Sequence, residues 1–403
     1  MNAMFPPAAP PLKRSDIPIS IRFLKEDHPD VFWNLTTRTV DDALAILRQV
    51  RPTRVEWSYL ENREIIQQIR QLVPVFVAAL NSRDGHARSF SGDPVVAPWM
   101  RHFGTLDTRY LYQCQHNPDD FQMQVDRLAG FIRDGITSFH CDDWFTNPMM
   151  TYFRDPCFCE HCMREFSRYL GFPLDYHAYL RGRGFATVEE VMEGASRGAV
   201  PLWEDFMRFQ RQTVRLYWRR IRKALDRLYP AGATLSVNDL ASRESAEVVL
   251  PVLDYFDGEV SDISPNALLE IATASRECGK LQVVLITPDE KKGEDRNSEV
   301  WVNRVRQAIT LSYCLGMVPL FPWDVYMRSD AQNRPKPRWF GTWEEYGAPF
   351  EVVREHPDWF DDFDFETMEE EKSGAVTVVA RHRSRKRLRL EHRVGADGTW
   401  VTK

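Results

Sequence analysis

The sequence predicts an α/β protein, a (β/α)8 TIM barrel with a small C-terminal β appendage, and three observations lead there. Short apolar runs alternate with helical patterns along most of the chain, the mark of repeated βα units. Eight such units can be counted, the number that closes a parallel barrel. The 403 residues, 43% hydrophobic and 12% aromatic, are enough to bury one large core and carry a small appendage besides.

Residues 1–16 read as an N-terminal lead or tag, with a proline-rich stretch at Pro6–Pro11. The barrel is expected over residues 17–360. Its strands are predicted at Ile17–Leu24, Arg54–Leu60, Val73–Leu80, Ile136–Asp142, Ala233–Asp239, Tyr255–Ser261, Leu281–Thr287 and Met317–Trp323. Helices are predicted at Val40–Val50, Asn62–Leu72, Asp120–Arg133, Trp203–Leu228, Glu244–Leu253, Ala267–Cys278, Glu299–Leu315 and Trp343–Glu355. Asn117-Pro118-Asp119 and Ser298-Glu299 are start signals for two of them. The loops after the third and fourth strands are the longest, and long loops at that end of a barrel are usually functional. Residues 361–403 read as an acidic linker, Asp361–Glu371, followed by a β-hairpin or accessory strands around a Gly-Ala-Asp-Gly turn.

Net charge is −6, with both signs interspersed, so nothing points to nucleic acid as the main partner. The basic run Arg381–Arg389 alternates with apolar residues and reads as a solvated strand face. No apolar segment reaches the ~18 residues of a membrane span, and no signal-peptide core is visible at the N-terminus. Seven cysteines, an odd number with four in metal-like spacing, suggest reduced thiols and a cytoplasmic location. Homo-oligomerisation is left open.

The stretch from Gly135 to Leu170 carries the chemistry. Its strand ends in Asp142, Asp143 and Trp144, and the C-terminal end of a parallel strand is where barrel ligands bind. Paired carboxylates can do acid/base work on a glycosidic bond, and an indole can stack on a sugar ring. The other strand ends add Arg22, Glu56 and Trp57, His140, Asn238 and Asp239, Glu259, Glu290, and Trp323 with Asp324. Any one of these aspartates could equally cap a helix, and each tryptophan could equally be packing. Asp142, Asp143 and Glu259 are the candidate catalytic carboxylates, the others candidate substrate contacts.

Cys157, Cys159 and Cys162 put three thiols into six residues. With Cys114 as the fourth ligand they would close a tetrahedral zinc site, structural because four thiolates leave no open position. His161 and Cys141 compete for that fourth place.

From about Arg109 to Leu240 the chain resembles the central half of the glycoside hydrolase family 42 β-galactosidases. The resemblance rests on CQHNP at Cys114, the strand ending His140-Cys141-Asp142-Asp143, CFCEHCMREFSRYL, WEDFMRFQRQTVRLYWRRI and Thr234–Asn238. It implies a (β/α)8 retaining glycosidase with a four-cysteine zinc site at Cys114, Cys157, Cys159 and Cys162. Where that family ends its fourth strand with Asn-Glu, this chain has Asp142-Asp143-Trp144, so the family's acid/base is not carried over. Strand 7 also lacks a clean nucleophile match, since Asp289 and Glu290 follow a proline. The Asp-Asp-Trp ending with Glu259 is similar to uncharacterised glycosyl hydrolases with a strand-4 aspartate.

The expected function is therefore a glycosidase acting on a carbohydrate substrate, with Asp142 or Asp143 as nucleophile or base and Glu259 as acid. Two other readings are open: a catalytically inactive sugar-binding barrel that keeps the tryptophans and the zinc, and a metal-dependent hydrolase using the mouth carboxylates and His140. No second histidine at ligand spacing supports the last.

Overall fold

The computed structural model describes residues 7–27, 38–81, 83–96, 111–142, 156–242, 247–287, 295–296, 298–326 and 338–403. The described residues divide into two compact units: one falls within Leu80–Gly135 and Asp142–Gly232, the other within Pro6–Ala79, Ile136–Cys141 and Ala233–Lys403.

Eight strands form one sheet in sequence order: β1 (Pro18–Ser20), β2 (Arg54–Ser58), β3 (Val75–Leu80), β4 (Ser138–Cys141), β5 (Thr234–Asn238), β6 (Tyr255–Val260), β7 (Leu281–Ile286) and β8 (Val318–Pro319). A parallel bridge from Ile19 to Phe321, with the Phe321 amide donating to the Pro18 carbonyl at 2.8 Å, carries the eighth strand back to the first. The result is a nearly closed parallel barrel. Helices α1 (Val40–Val50) and α2 (Arg63–Arg70) alternate with the first strands, and α8 (Pro265–Cys278), α9 (Glu299–Cys314) and α10 (Trp343–Glu355) with the last. A short α11 (Asp358–Asp361) leads out of the barrel.

Local chemistry sets these boundaries. Thr39 and Asp42 form a capping box on α1, as do Thr342 and Glu345 on α10, and Ser264 caps α8 just ahead of Pro265. Ser298 caps α9 as its sequence predicts. Of the predicted helix at Glu244–Leu253, residues 244–246 lie outside the described residues, and 247–249 are helical.

The first unit holds α3 (Pro118–Arg133), α4 (Glu160–Leu170), α5 (Tyr176–Gly182), α6 (Val188–Ser196) and α7 (Trp203–Leu228). Asn117 caps α3, with Pro118 in the first turn, where its missing N–H costs nothing. The short helices α5 and α6 were not predicted: seven and nine residues are too few for a clear periodicity, although Asp175 and the Thr187/Glu190 box mark their starts. An aromatic core of Phe158, Phe166, Tyr176, Phe206 and Phe209 joins α4, α5 and α7.

After β8 come two short antiparallel strands, β9 (Val325–Tyr326) and β10 (Arg338–Trp339). The C-terminal appendage is a four-stranded antiparallel sheet, β11 (Phe363–Glu370), β12 (Val376–His382), β13 (Arg389–Val394) and β14 (Trp400–Thr402). The acidic run expected as a linker is thus its first strand. Phe363 and Phe365 turn inward, and the exposed Glu366 pairs with Arg381 and Arg389 across the sheet. This sheet is fixed to the barrel by Gln307, which donates to the Gly374 and Gly395 carbonyls at 2.8 and 3.1 Å, and by Arg276, which lies 4.2 Å over the Phe365 ring.

Candidate functional site

Side chains alternate along a strand, so Tyr255, Asp257 and Glu259 on β6 share one face, as do Arg54 and Glu56 on β2 and Ser138 and His140 on β4. These faces meet in a polar interior. At the deepest level the Arg54 Nε donates to the Glu56 carboxylate at 2.6 Å, and the Tyr255 hydroxyl donates to both Glu56 oxygens at 2.9 and 3.1 Å. All three residues are buried. Burial pushes Glu56 and Tyr255 up from their ordinary values, with Arg54 opposing the shift at Glu56.

Above this lies the pair His140 and Asp257, both without exposed surface. His140 Nδ1 is 3.1 Å from the Ser236 hydroxyl and 3.6 Å from the Asp257 carboxylate. Neither Asp257 oxygen has a hydrogen-bond partner among the described residues, nor has His140 Nε2. Burial, and then the nearby Glu56 charge, push the Asp257 carboxyl well above the usual carboxylate range. Burial and Arg22 likewise push His140 well down, so its imidazole is neutral. At both residues burial therefore favours the uncharged form.

Nearest the strand ends, Arg22 Nη1 is 3.7 Å from Glu259, and its guanidinium lies 4.0 Å over the Trp57 ring. Trp57 also meets His140 at 4.5 Å and donates from Nε1 to the Tyr59 hydroxyl at 2.6 Å. It sits at a register break in β2 with φ of 51°, a left-handed conformation that is costly for an indole-bearing residue and is held by these contacts. The Arg22 amide donates to Asp324 at 2.6 Å, and Arg338 Nε donates to the other Asp324 oxygen at 2.7 Å. Gly258 is required here: a Cβ would stand 2.5 Å from the Asp239 carbonyl oxygen at the end of β5.

The predicted residues thus separate by depth. Arg22, Trp57, His140, Glu259 and Asp324 are brought together, and Glu259 keeps some exposure, 11% of its side chain. Glu56, Trp57 and His140, expected as substrate contacts, are buried in the interior. Trp323 is likewise buried, its ring edge-on to Phe340. Asn238 closes β5, half-buried, in register with Asp257. Asp239 accepts from the Leu240 amide at 2.9 Å in a tight turn. Asp142 follows β4, half-buried, its amide donating to the Leu80 carbonyl at 3.3 Å. Asp143, Trp144, Asp289 and Glu290 lie outside the described residues. Sequence reading missed Arg54, Ser236 and Tyr255; counting every second residue back from Glu259 would have found Tyr255.

In the first unit, Cys114, Cys157, Cys159 and Cys162 are buried with their sulfurs all within 4.8 Å of one another. Cys114 Sγ is 3.4 Å from both Cys159 and Cys162. Buried Asp120 at the start of α3 positions the upstream arm, accepting from the Cys114 amide at 2.5 Å and the His86 amide at 3.1 Å. Cys159 opens α4, and the Phe158 amide is tied to the Arg88 carbonyl. The competing ligands are elsewhere: Cys141 is on β4, and His161 Nδ1 meets Arg164 at 2.9 Å. Thiol hydrogen bonds pull Cys159 far down from its ordinary value and push Cys114 and Cys162 up. This cluster can hold a metal ion.

No family model matches the chain, and no curated protein matches it. Solved structures do. The ligand-free cyclic α-maltosyl-(1→6)-maltose hydrolase from Arthrobacter globiformis is similar with a TM-score of 0.50 at 11% identity, covering 96% of each chain. The α-amylase from H.orenii gives a TM-score of 0.48 at 9% identity over 96% of this chain and 90% of that one. The Nostoc punctiforme debranching enzyme gives 0.47 at 9% identity over 95% and 87%. At these identities the likeness is one of fold.

Proposed function

We propose that the protein is a glycoside hydrolase whose reacting carboxylates include Glu259. The observation that carries this reading is Glu259 itself: a partly accessible carboxylate on β6, held by Arg22, whose guanidinium is in turn held by Trp57 and whose amide is fixed by Asp324. An ion pair with a guanidinium is an interaction of the carboxylate form, the form in which a nucleophile or base acts. The ion pair therefore favours Glu259 in that role, with the strand-4 aspartates, Asp142 or Asp143, supplying the acid; this reverses the assignment expected from sequence. The fold shared with a maltosyl-maltose hydrolase is one on which such chemistry is built, and the family 42 resemblance points to the same class.

The buried groups beneath would act by position. Arg22 directs its charge to Glu259, and Arg54 is engaged by Glu56. The test is hydrolysis of a panel of aryl glycosides: turnover of one of them, lost in Glu259→Gln, supports the assignment, and binding of sugars with no turnover of any would favour the inactive sugar-binding barrel.

For the cysteine cluster we propose zinc. Four soft thiolate donors at tetrahedral proximity fit it, and such a closed shell would hold the segment between β4 and α4 without entering the reaction.

A further inference from the structure

The long helix α7 buries one face, through Phe206, Phe209, Val214, Tyr217, Ile221 and Leu225, and turns a ladder of cations outward on the other. Arg215, Arg219, Lys223 and Arg227 are all exposed and recur every fourth residue. On a helix that spacing stacks them in one row, about 6 Å apart and about 18 Å from end to end.

A solvated helix face ordinarily mixes signs, as elsewhere in this protein, where Arg168 pairs with Glu165, Arg197 with Glu193 and Arg354 with Glu351. Along α7, Arg208 pairs with Asp205, Arg222 with Asp226, and Arg220 lies over Phe121. The four ladder cations have no carboxylate within 4.0 Å among the described residues. Like charges four apart destabilise the helix that carries them. The ladder also reverses the sign of a chain whose net charge is −6. Such a row is what a regularly spaced polyanion would neutralise.

We propose that the outer face of α7 is a docking surface for an acidic polysaccharide, with the ladder binding successive carboxylates of an extended chain. The choice of a saccharide rests on the proposed glycosidase function. Arginine forks pair bidentately with the carboxylates that such a chain carries. The face also lacks what single-stranded nucleic acid requires: Tyr217 and Trp218 are turned inward, and Leu216 is its one large exposed apolar residue, so there is no ring for bases to stack on.

The experiment is titration of the full chain with polygalacturonate, with neutral dextran and random-sequence duplex DNA as comparators. Polygalacturonate should bind, dextran should not, and binding should weaken steeply as salt is raised. The variant R215Q/R219Q/K223Q/R227Q should bind at least about tenfold more weakly, with a flatter salt dependence. The double variant R215Q/R219Q, a smaller perturbation, should fall between. No polygalacturonate binding, equal binding by both variants, or tighter binding of duplex DNA would overturn the proposal. Binding without hydrolysis of any glycoside would instead fail the glycosidase reading and leave the docking surface standing, while hydrolysis without binding would do the reverse.

Discussion

Arg22 reaches Glu259 at 3.7 Å while lying 4.0 Å over the Trp57 ring, so one guanidinium couples a partly exposed carboxylate to a buried, conformationally strained tryptophan. A lysine keeps the charge but loses the planar stack and the fork. Arg22→Lys should therefore lower kcat on a turned-over glycoside by about 10-fold or more with KM changed little, as expected where orientation of a reacting group is lost. Steady-state kinetics check this, and a raised KM at unchanged kcat would assign Arg22 to binding instead.

Asp257 gives a test by pH that needs no substrate. Its folded pKa is raised, so between the unfolded aspartate value, about 3.9, and the folded one the unfolded chain releases a proton that the folded chain keeps. Wild-type stability is then lost as pH rises through that window, by about 1.4 kcal/mol per pH unit at most, and Asp257→Asn lacks this loss. The stability difference, variant minus wild type, should grow from pH 4 toward neutrality in denaturant titrations. A difference that runs the other way would mean an ionised, paired Asp257.

Asp324 is buried between the Arg22 amide and Arg338. Removing the carboxylate strands the buried Arg338 charge, so Asp324→Ala should cost roughly 3–5 kcal/mol in chemical denaturation. Asp324→Asn should cost less, since it keeps an acceptor for the amide.

The fold was legible because barrel strands buried on both faces are apolar runs, and because Asn117-Pro118 and Ser298 are start signals that mean the same thing in any context. The cysteine cluster was legible for a similar reason: thiols at C-x-C-x-x-C spacing have one common use. The depth of each site residue was not. Glu56 and Glu259 both read as strand-end carboxylates, yet one is sealed under Tyr255 and Arg54 and the other reaches partly toward solvent. Which layer of a barrel a residue occupies depends on strand stagger, and the bulge at Trp57 shifts β2 in a way no local pattern announces.

The cysteine cluster should carry one zinc per chain in elemental analysis of protein purified without chelator. Cys159→Ser should lose the metal and on the order of 2 kcal/mol of stability or more, several degrees in Tm, because metal binding here is coupled to folding of the loop. Turnover below the melting transition should be nearly unchanged, as a closed shell offers no position to substrate. A protein with no metal, or a zinc-free variant of wild-type stability, would remove zinc from the account.

The last prediction concerns the reacting pair. If Glu259 is the nucleophile or base and a strand-4 aspartate the acid, the two must act in opposite protonation states, and the rate should be bell-shaped in pH. Glu259→Gln, Asp142→Asn and Asp143→Asn are near-isosteric, so each should fold as wild type does. Glu259→Gln and one of the two aspartate variants should each lose about 10²-fold or more in kcat, the usual cost of acid or base help. They should differ in how substrate rescues them. With a leaving group that needs no proton, such as dinitrophenolate, the acid variant should recover most of its rate, whereas Glu259→Gln should not, because departure of the leaving group is not what it has lost. If instead Glu259→Gln is the one rescued, the roles return to those first expected from the sequence. If Glu259→Gln is silent while Asp289→Asn or Glu290→Gln abolishes turnover, the partner carboxylate belongs to the segment after β7, and the Arg22–Glu259 pair is a structural one.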